Sequence, residues 1–469
     1  MKTTTATLAL LVLAACAAPP RLQPALRGDA PLALQGAALP AAAWPASRWW
    51  QRYDDPVLAG LVERALAGAP RIAAASARLA TAREQVRLAG AAQGAQVQLN
   101  AQFDRLRLSE NGLLPTEFLG FSWYNQADLG LAVSYQLDWW GRQRASLDAA
   151  LDRARAATAE QRAAEVALSA AVATEYFGWQ ADAARIDLAR DRLTVIAEQR
   201  SLSTRRIGAR LESADALLLL EQQQAAAEES LAMLETSQRL RKVALAALLA
   251  ADEATLPALA PRALPPVATG LPEQTGINLL AHRADVTASR WRVEAATRET
   301  DVVRASYYPD ISLRALAGLS SIELGKLLQA GSATPRIGAA LNLPLFDSGL
   351  RDARHGAARA ALDESIAAYN ETVVAAAREL GMAAQRVSAT TTQHSLRERS
   401  RQAADALLAS ARARVSGGLT HRGPELAARS QVLDAQESLV QIQYERVAAD
   451  IQLTLALGGG YTEQEPVPK

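Results

Sequence analysis

The chain has 469 residues, of which 49% are hydrophobic and 21% charged. Fifty basic residues face 49 acidic ones, a net charge of +1, so no global field recruits nucleic acid or another polyanion. The one cysteine excludes an internal disulfide framework.

The N-terminus reads as a secretory signal over residues 1–15. Lys2 supplies a positive charge, Thr7 to Val12 are mostly apolar, and Leu13-Ala14-Ala15 are the small residues of a cleavage site. The apolar stretch is shorter than the roughly 20 residues a spanning helix needs. In an exported chain, the lone Cys16 is a free thiol, half of an intermolecular bridge, or a modified residue. Residues 16–56 form an extension dotted with proline from Pro19 to Pro45.

Helical spacing of Val57, Leu58, Leu61, Val62, Ala65 and Leu66 predicts one helix over 57–89. The period then changes from helical to two. Residues 95–104 set Val97, Leu99, Ala101 and Phe103 against Gln96, Gln98, Asn100, Gln102 and Asp104, and residues 127–138 repeat the alternation. These predict two half-buried strands joined by a loop over 107–125. No proline occurs from Thr116 to Leu256, and the composition predicts a very long helix from 142 to Gly208 and another over 213–250.

The order then repeats. Residues 284–318 lay "PDISLRA" over "AQVQLNA" at an offset of 214, and Ile337, Ala339, Leu341, Leu343 and Leu345 predict a matching strand. Gly208 and Gly418 fall 210 apart, each seven residues before a carboxylate, Asp215 and Glu425. The reading divides the chain into a first repeat, 57–250, a proline-rich linker, 251–282, a second repeat, 283–457, and a tail, 458–469. The prolines over 254–276 exclude helix there.

Length constrains the architecture. A helix of about 66 residues spans roughly 100 Å, and narrow apolar stripes leave such columns dependent on neighbouring chains. Strands of about ten residues cross a bilayer when tilted, but four cannot close a barrel, and membrane barrels begin at about eight. The expected fold is therefore mainly α with membrane β. It is a long helical coiled-coil barrel with a four-stranded contribution to a shared barrel, internally duplicated.

Several motifs carry a resemblance. They are Leu13-Ala14-Ala15-Cys16, Trp49-Trp50 with Tyr53-Asp54-Asp55-Pro56, and Trp139-Trp140-Gly141-Arg142. Asn342-Leu343-Pro344-Leu345-Phe346-Asp347 and the closing Leu457-Gly458-Gly459-Gly460 complete them. Together and in order they resemble the TolC-like outer-membrane factor family, of the lipidated efflux type. The first motif is similar to a bacterial lipobox. It implies a covalent lipid on Cys16 and no other cofactor, and Ala17 in place of aspartate favours the outer membrane.

The resemblance implies a homotrimer in contact with outer-membrane lipid. It implies a passive exit duct for small molecules, served by a periplasmic adaptor and an inner-membrane pump, RND type being expected. A type I protein-secretion duct and a lipid-anchored coiled-coil spacer are the alternatives. Gly208, Asp215, Gly418 and Glu425 resemble the periplasmic tips where adaptors dock. Arg422, Glu425 and Arg429 become the candidate gate, although the family's usual aspartate position is occupied by Ala427.

Other features read blandly. No nucleophile–base set or nucleotide loop emerges, so no enzyme is expected. The four histidines, at 282, 355, 394 and 421, stand apart from other ligand residues, so no metal site is expected. Phe118, Phe121, Trp123, Tyr124, Trp139, Trp140, Tyr307, Tyr308 and Phe346 flank strand ends, as in an interfacial belt.

Overall fold

The computed structural model describes residues 18–28, 39–109, 119–267, 270–272 and 275–463. Cys16, the signal 1–15 and Phe118 lie outside the described residues.

After a one-turn helix at Trp49–Tyr53, α1 spans Pro56–Gly68 and α2 spans Pro70–Ala91. The single helix expected over 57–89 is thus two. Pro70 lacks an N–H and forces Ala69 into extended geometry, φ −69° and ψ 129°. At the start of α1 the Asp55 carboxylate accepts hydrogen bonds from the Val57 and Leu58 amides at 2.9 and 3.2 Å. Such a cap contributes about 0.5–2 kcal/mol.

Strands β1 (Gln96–Arg107) and β2 (Trp123–Leu137) precede α3 (Arg142–Gly208) and α4 (Asp215–Leu248). A short helix α5 (Thr275–His282) closes the expected linker, taking over just after its last proline, Pro272. Then come α6 (Ala284–Ala305), β3 (Asp310–Ser321), β4 (Arg336–Asn342), α7 (Leu350–Ser416) and α8 (Gly423–Ala456). Strand β4 ends two residues before Pro344, which has no ladder donor, and not at the expected Leu345.

The duplication is strict in length. Helices α2 and α6 have 22 residues each, α3 and α7 have 67 each, and α4 and α8 have 34 each. The offset is 214 for α2 to α6 and β1 to β3 but 208 for α3 to α7 and α4 to α8, so the second copy is six residues shorter between β3 and α7. The 210-residue match of Gly208 to Gly418 is therefore corrected. The structural counterpart of Gly418 is Arg210, and that of Asp215 is Gly423.

Helices α3 and α7 run through two layers. On the strand side the packing order is α2, α3, α6, α7, and on the far side it is α4, α3, α8, α7. The four strands form one antiparallel sheet in sequence order. Each layer is consequently an open row of four.

The main core lies where the layers meet. Leu58, Leu61 and Val62 of α1, Val172 and Tyr176 of α3, Leu245 of α4 and Ile451 of α8 are fully enclosed together. The Trp-Trp…Tyr-Asp-Asp-Pro motif builds one wall. Trp49 Nε1 donates to Ser169 Oγ, Tyr53 Oη donates to the buried Asp450 carboxylate at 2.6 Å, and Arg52 pairs with the same carboxylate. Burial, reinforced by Asp450, pushes the Tyr53 phenol well above its ordinary value and keeps it a donor. The closing glycines fit equally tightly. Gly458, Gly459 and Gly460 all have positive φ, and a Cβ on Gly458 would fall 1.8 Å from the His282 carbonyl. The Gly459 amide donates back to the Thr454 carbonyl, which caps the C-terminus of α8.

Candidate functional site

The sheet sorts its side chains by register. Val97 pairs with Val133 and Val133 with Ala315, which pairs with Ile337. Leu99, Leu131 and Ala317 form the next row, and Tyr135, Leu313 and Ala339 another. Val97, Leu99, Phe103, Leu131, Leu313, Ile337 and Leu341 are exposed. The opposite face is polar. Gln126 donates to Asp128 and to Ser320, and Gln136 donates to Asp310. One face thus suits hydrocarbon and the other water, while β1 and β4 each leave an unpaired edge. Among the described residues no helix is long and apolar enough to cross a membrane, so the strands are the elements fitted to do so.

The aromatics mostly follow that boundary. Phe121, Trp123, Trp139, Trp140 and Phe346 are exposed. Tyr307 is not part of the belt. It is buried, and its hydroxyl donates to Asp352 at 2.6 Å.

At the opposite end, α3–α4 and α7–α8 turn back through matched tips. In the first, the Leu211 amide reaches the Arg206 carbonyl, and in the second Leu419 reaches Arg414. The left-handed residue is Arg210 (φ 59°) in one and Gly418 (φ 70°) in the other. Gly208 keeps helical geometry as the last residue of α3. Glu212 pairs with Arg206 at 3.3 Å, and Ser213 donates to Asp215 at 3.3 Å.

The second tip is tied across helices. Arg422 and Arg429 both donate to Glu198 of α3, each at 3.1 Å. Glu425 lies 3.5 Å from Arg412 and 3.8 Å from Arg422, and not on Arg429. Ala427 is exposed. Among the described residues no ion pair joins Arg210, Glu212 or Asp215 to the second tip, so Asp215 and the candidate gate residues Arg422, Glu425 and Arg429 fall in two separate clusters. The shared carboxylate Glu198 was missed, because in the α3 sequence it reads as one more solvated charge.

A membrane-facing sheet with open edges, continued by a far longer helical wall, defines a subunit of a membrane channel with an extended tunnel. The chain belongs to the outer membrane efflux protein family, whose model matches residues 61–251 and 277–459. The multidrug resistance outer membrane protein MdtQ of Escherichia coli O157:H7 is 32% identical over 96% of both chains. The structure is similar to that of the outer membrane protein VceC from Vibrio cholerae, with 32% identity and a TM-score of 0.79. That match covers 89% of this chain and all of that one. It also resembles the outer-membrane channel OprN, with 25% identity and a TM-score of 0.85 over 95% and 99% of the two chains. The protein is thus an outer-membrane efflux channel subunit and not an enzyme.

Proposed function

We propose that three copies close their open rows edge to edge. The result is a twelve-stranded barrel above a helical tunnel that acts as a passive exit duct for small toxic molecules, drugs included. The observation that carries this reading is the four-stranded sheet, apolar on one face, polar on the other and unpaired at both edges. Four strands are half of the smallest barrels, and twelve close comfortably. The multidrug role of the MdtQ relative supports the cargo class.

In this reading a periplasmic adaptor docks on the tips around Gly208, Asp215, Gly418 and Glu425, and an RND-type inner-membrane pump delivers the cargo. Glu198, Arg422, Glu425 and Arg429 hold the entrance closed through several weak ties, which adaptor contacts can overcome. Cys16 carries a covalent lipid as a second hold on the membrane. The test is planar-bilayer conductance of the purified assembly. Wild type should give small, stable channels, and Glu198→Ala with Arg422→Ala should give larger ones. Absence of any conductance from a correctly assembled trimer would overturn the duct. Palmitate labelling that persists in Cys16→Ser would overturn the lipid attachment.

A further inference from the structure

Where α3 and α6 meet the strand ends, a hollow of about 210 Å³ opens beside the start of α3. Four arginines line it, Arg21 of the N-terminal extension, Arg144 of α3, and Arg298 and Arg304 of α6, against only two carboxylates, Asp148 and Asp301. The pairing within it is loose. Arg21 Nε and Arg304 Nη1 share one oxygen of Asp301, at 3.7 and 3.5 Å. Arg298 lies 3.9 Å from Asp152, a carboxylate already held by Arg155 at 2.7 Å. The Nε atoms of Arg298 and Arg304 are buried without a hydrogen-bond partner, and the Arg144 guanidinium has none among the described residues. Buried donors left unpaired are costly, so the hollow suits an occupant rich in acceptor oxygens and negative in charge. Guanidinium forks match phosphate oxygens in particular.

The position says where that phosphate comes from. One wall is Trp140, stacked on Tyr308 at 4.6 Å and fixed by its Nε1 donating to the Pro309 carbonyl at 2.8 Å. Strand β2 ends at Leu137 and β3 begins at Asp310, so the hollow sits where the lipid-facing sheet gives way to helices. Amphipathic rings at such a level mark the membrane surface. Arg21 also follows the proposed lipid-bearing Cys16 by five residues, a reach of at most about 18 Å. A lipid on Cys16 would thus keep the Arg21 side of the hollow within that distance of the bilayer surface.

We infer that this hollow binds the phosphate headgroup of an anionic phospholipid from the surrounding leaflet. The inference rests on the outer-membrane reading above but not on conduction or on any pump. Bound lipid would satisfy the arginines and fix the depth at which the helical wall leaves the membrane.

The experiment is native mass spectrometry of the full assembled protein in detergent, titrated separately with phosphatidylglycerol, phosphatidylethanolamine and glycerol phosphate. Phosphatidylglycerol should bind about tenfold more tightly than phosphatidylethanolamine, and Arg144→Gln with Arg304→Gln should weaken it by about tenfold or more. Arg314→Gln, on the sheet, should leave it unchanged. The single Arg144→Gln, which removes no tie within the fold, carries the test if the double variant fails to assemble. Equal binding of both lipids, or no loss in the variants, would overturn the inference. Displacement of phosphatidylglycerol by an equal concentration of glycerol phosphate would overturn the lipid source and leave a soluble-anion site.

Discussion

Helices α4 and α8 occupy the same place in the two repeats, have the same length and begin and end alike, yet live in different surroundings. Helix α8 lies between α3 and α7 and buries residues along its whole length, among them Leu426, Val432, Ile442 and Ile451. Helix α4 packs mainly on α3, reaching the core only near its C-terminal end, and leaves Leu218, Leu219, Met233, Leu240 and Val243 exposed. Leu218 and Leu426 are the same residue at the same repeat position, 65% and 2% exposed. Ile451, fully buried, corresponds to Val243, which is 52% exposed. Backbone was duplicated while environment was not. An isolated chain gains nothing from apolar residues kept on an open edge, whereas a chain that meets its own copy there does.

The largest break in this comparison comes from truncating the leucine pair. Leu426→Ala should cost about 2–5 kcal/mol, because it opens a cavity against Val195 and Leu433, while Leu218→Ala should stay within about 0.5 kcal/mol. Urea unfolding followed by helical circular dichroism, done on the dissociated subunit, separates the two.

The next position contrasts charge. Asp450→Ala strands the Tyr53 hydroxyl and the Arg52 guanidinium and should cost about 3 kcal/mol, at the low end for a buried pair because Arg52 keeps access to water. Lys242, its counterpart on α4, pairs among the described residues with the exposed Glu253, so Lys242→Ala should change stability by less than about 1 kcal/mol. The same unfolding curves read both.

A substitution that leaves the subunit intact sharpens the comparison further. Val243→Glu should leave subunit unfolding within about 0.5 kcal/mol of wild type but move the assembled species toward monomer in light scattering. The smallest expected effects are at the second tip. Arg422→Ala and Arg429→Ala remove partly exposed ties on Glu198 and should each cost no more than about 1 kcal/mol, less at high salt.

Much of this architecture is legible in the sequence. Alternation over 95–104 and 127–138 gave the strands because each has one wet and one apolar face, a pattern that period two records directly. The proline-free tract from Thr116 to Leu256 gave the long helices, and Gly208 gave the last residue of α3. What escaped depended on tertiary environment. Gly208 resembles a turn glycine, but the left-handed residue is Arg210, two positions later, fixed by the Leu211 to Arg206 hydrogen bond. Glu198 lies 224 residues from Arg422 and becomes special only when α3 and α8 pack. Tyr307 carries the letters of a belt residue, but Asp352 draws it inward.

The claim that the exposed edges of α4 and α7 cover each other in neighbouring copies is tested most directly by proximity. Leu240 on α4 and Met382 on α7 are both exposed, and the only native cysteine is Cys16, so Leu240→Cys with Met382→Cys can be linked by a short bis-maleimide in membranes. The account predicts a covalent ladder that ends at three chains and disappears when either cysteine is omitted. A single uncrosslinked chain, or a ladder that runs past three, would contradict it.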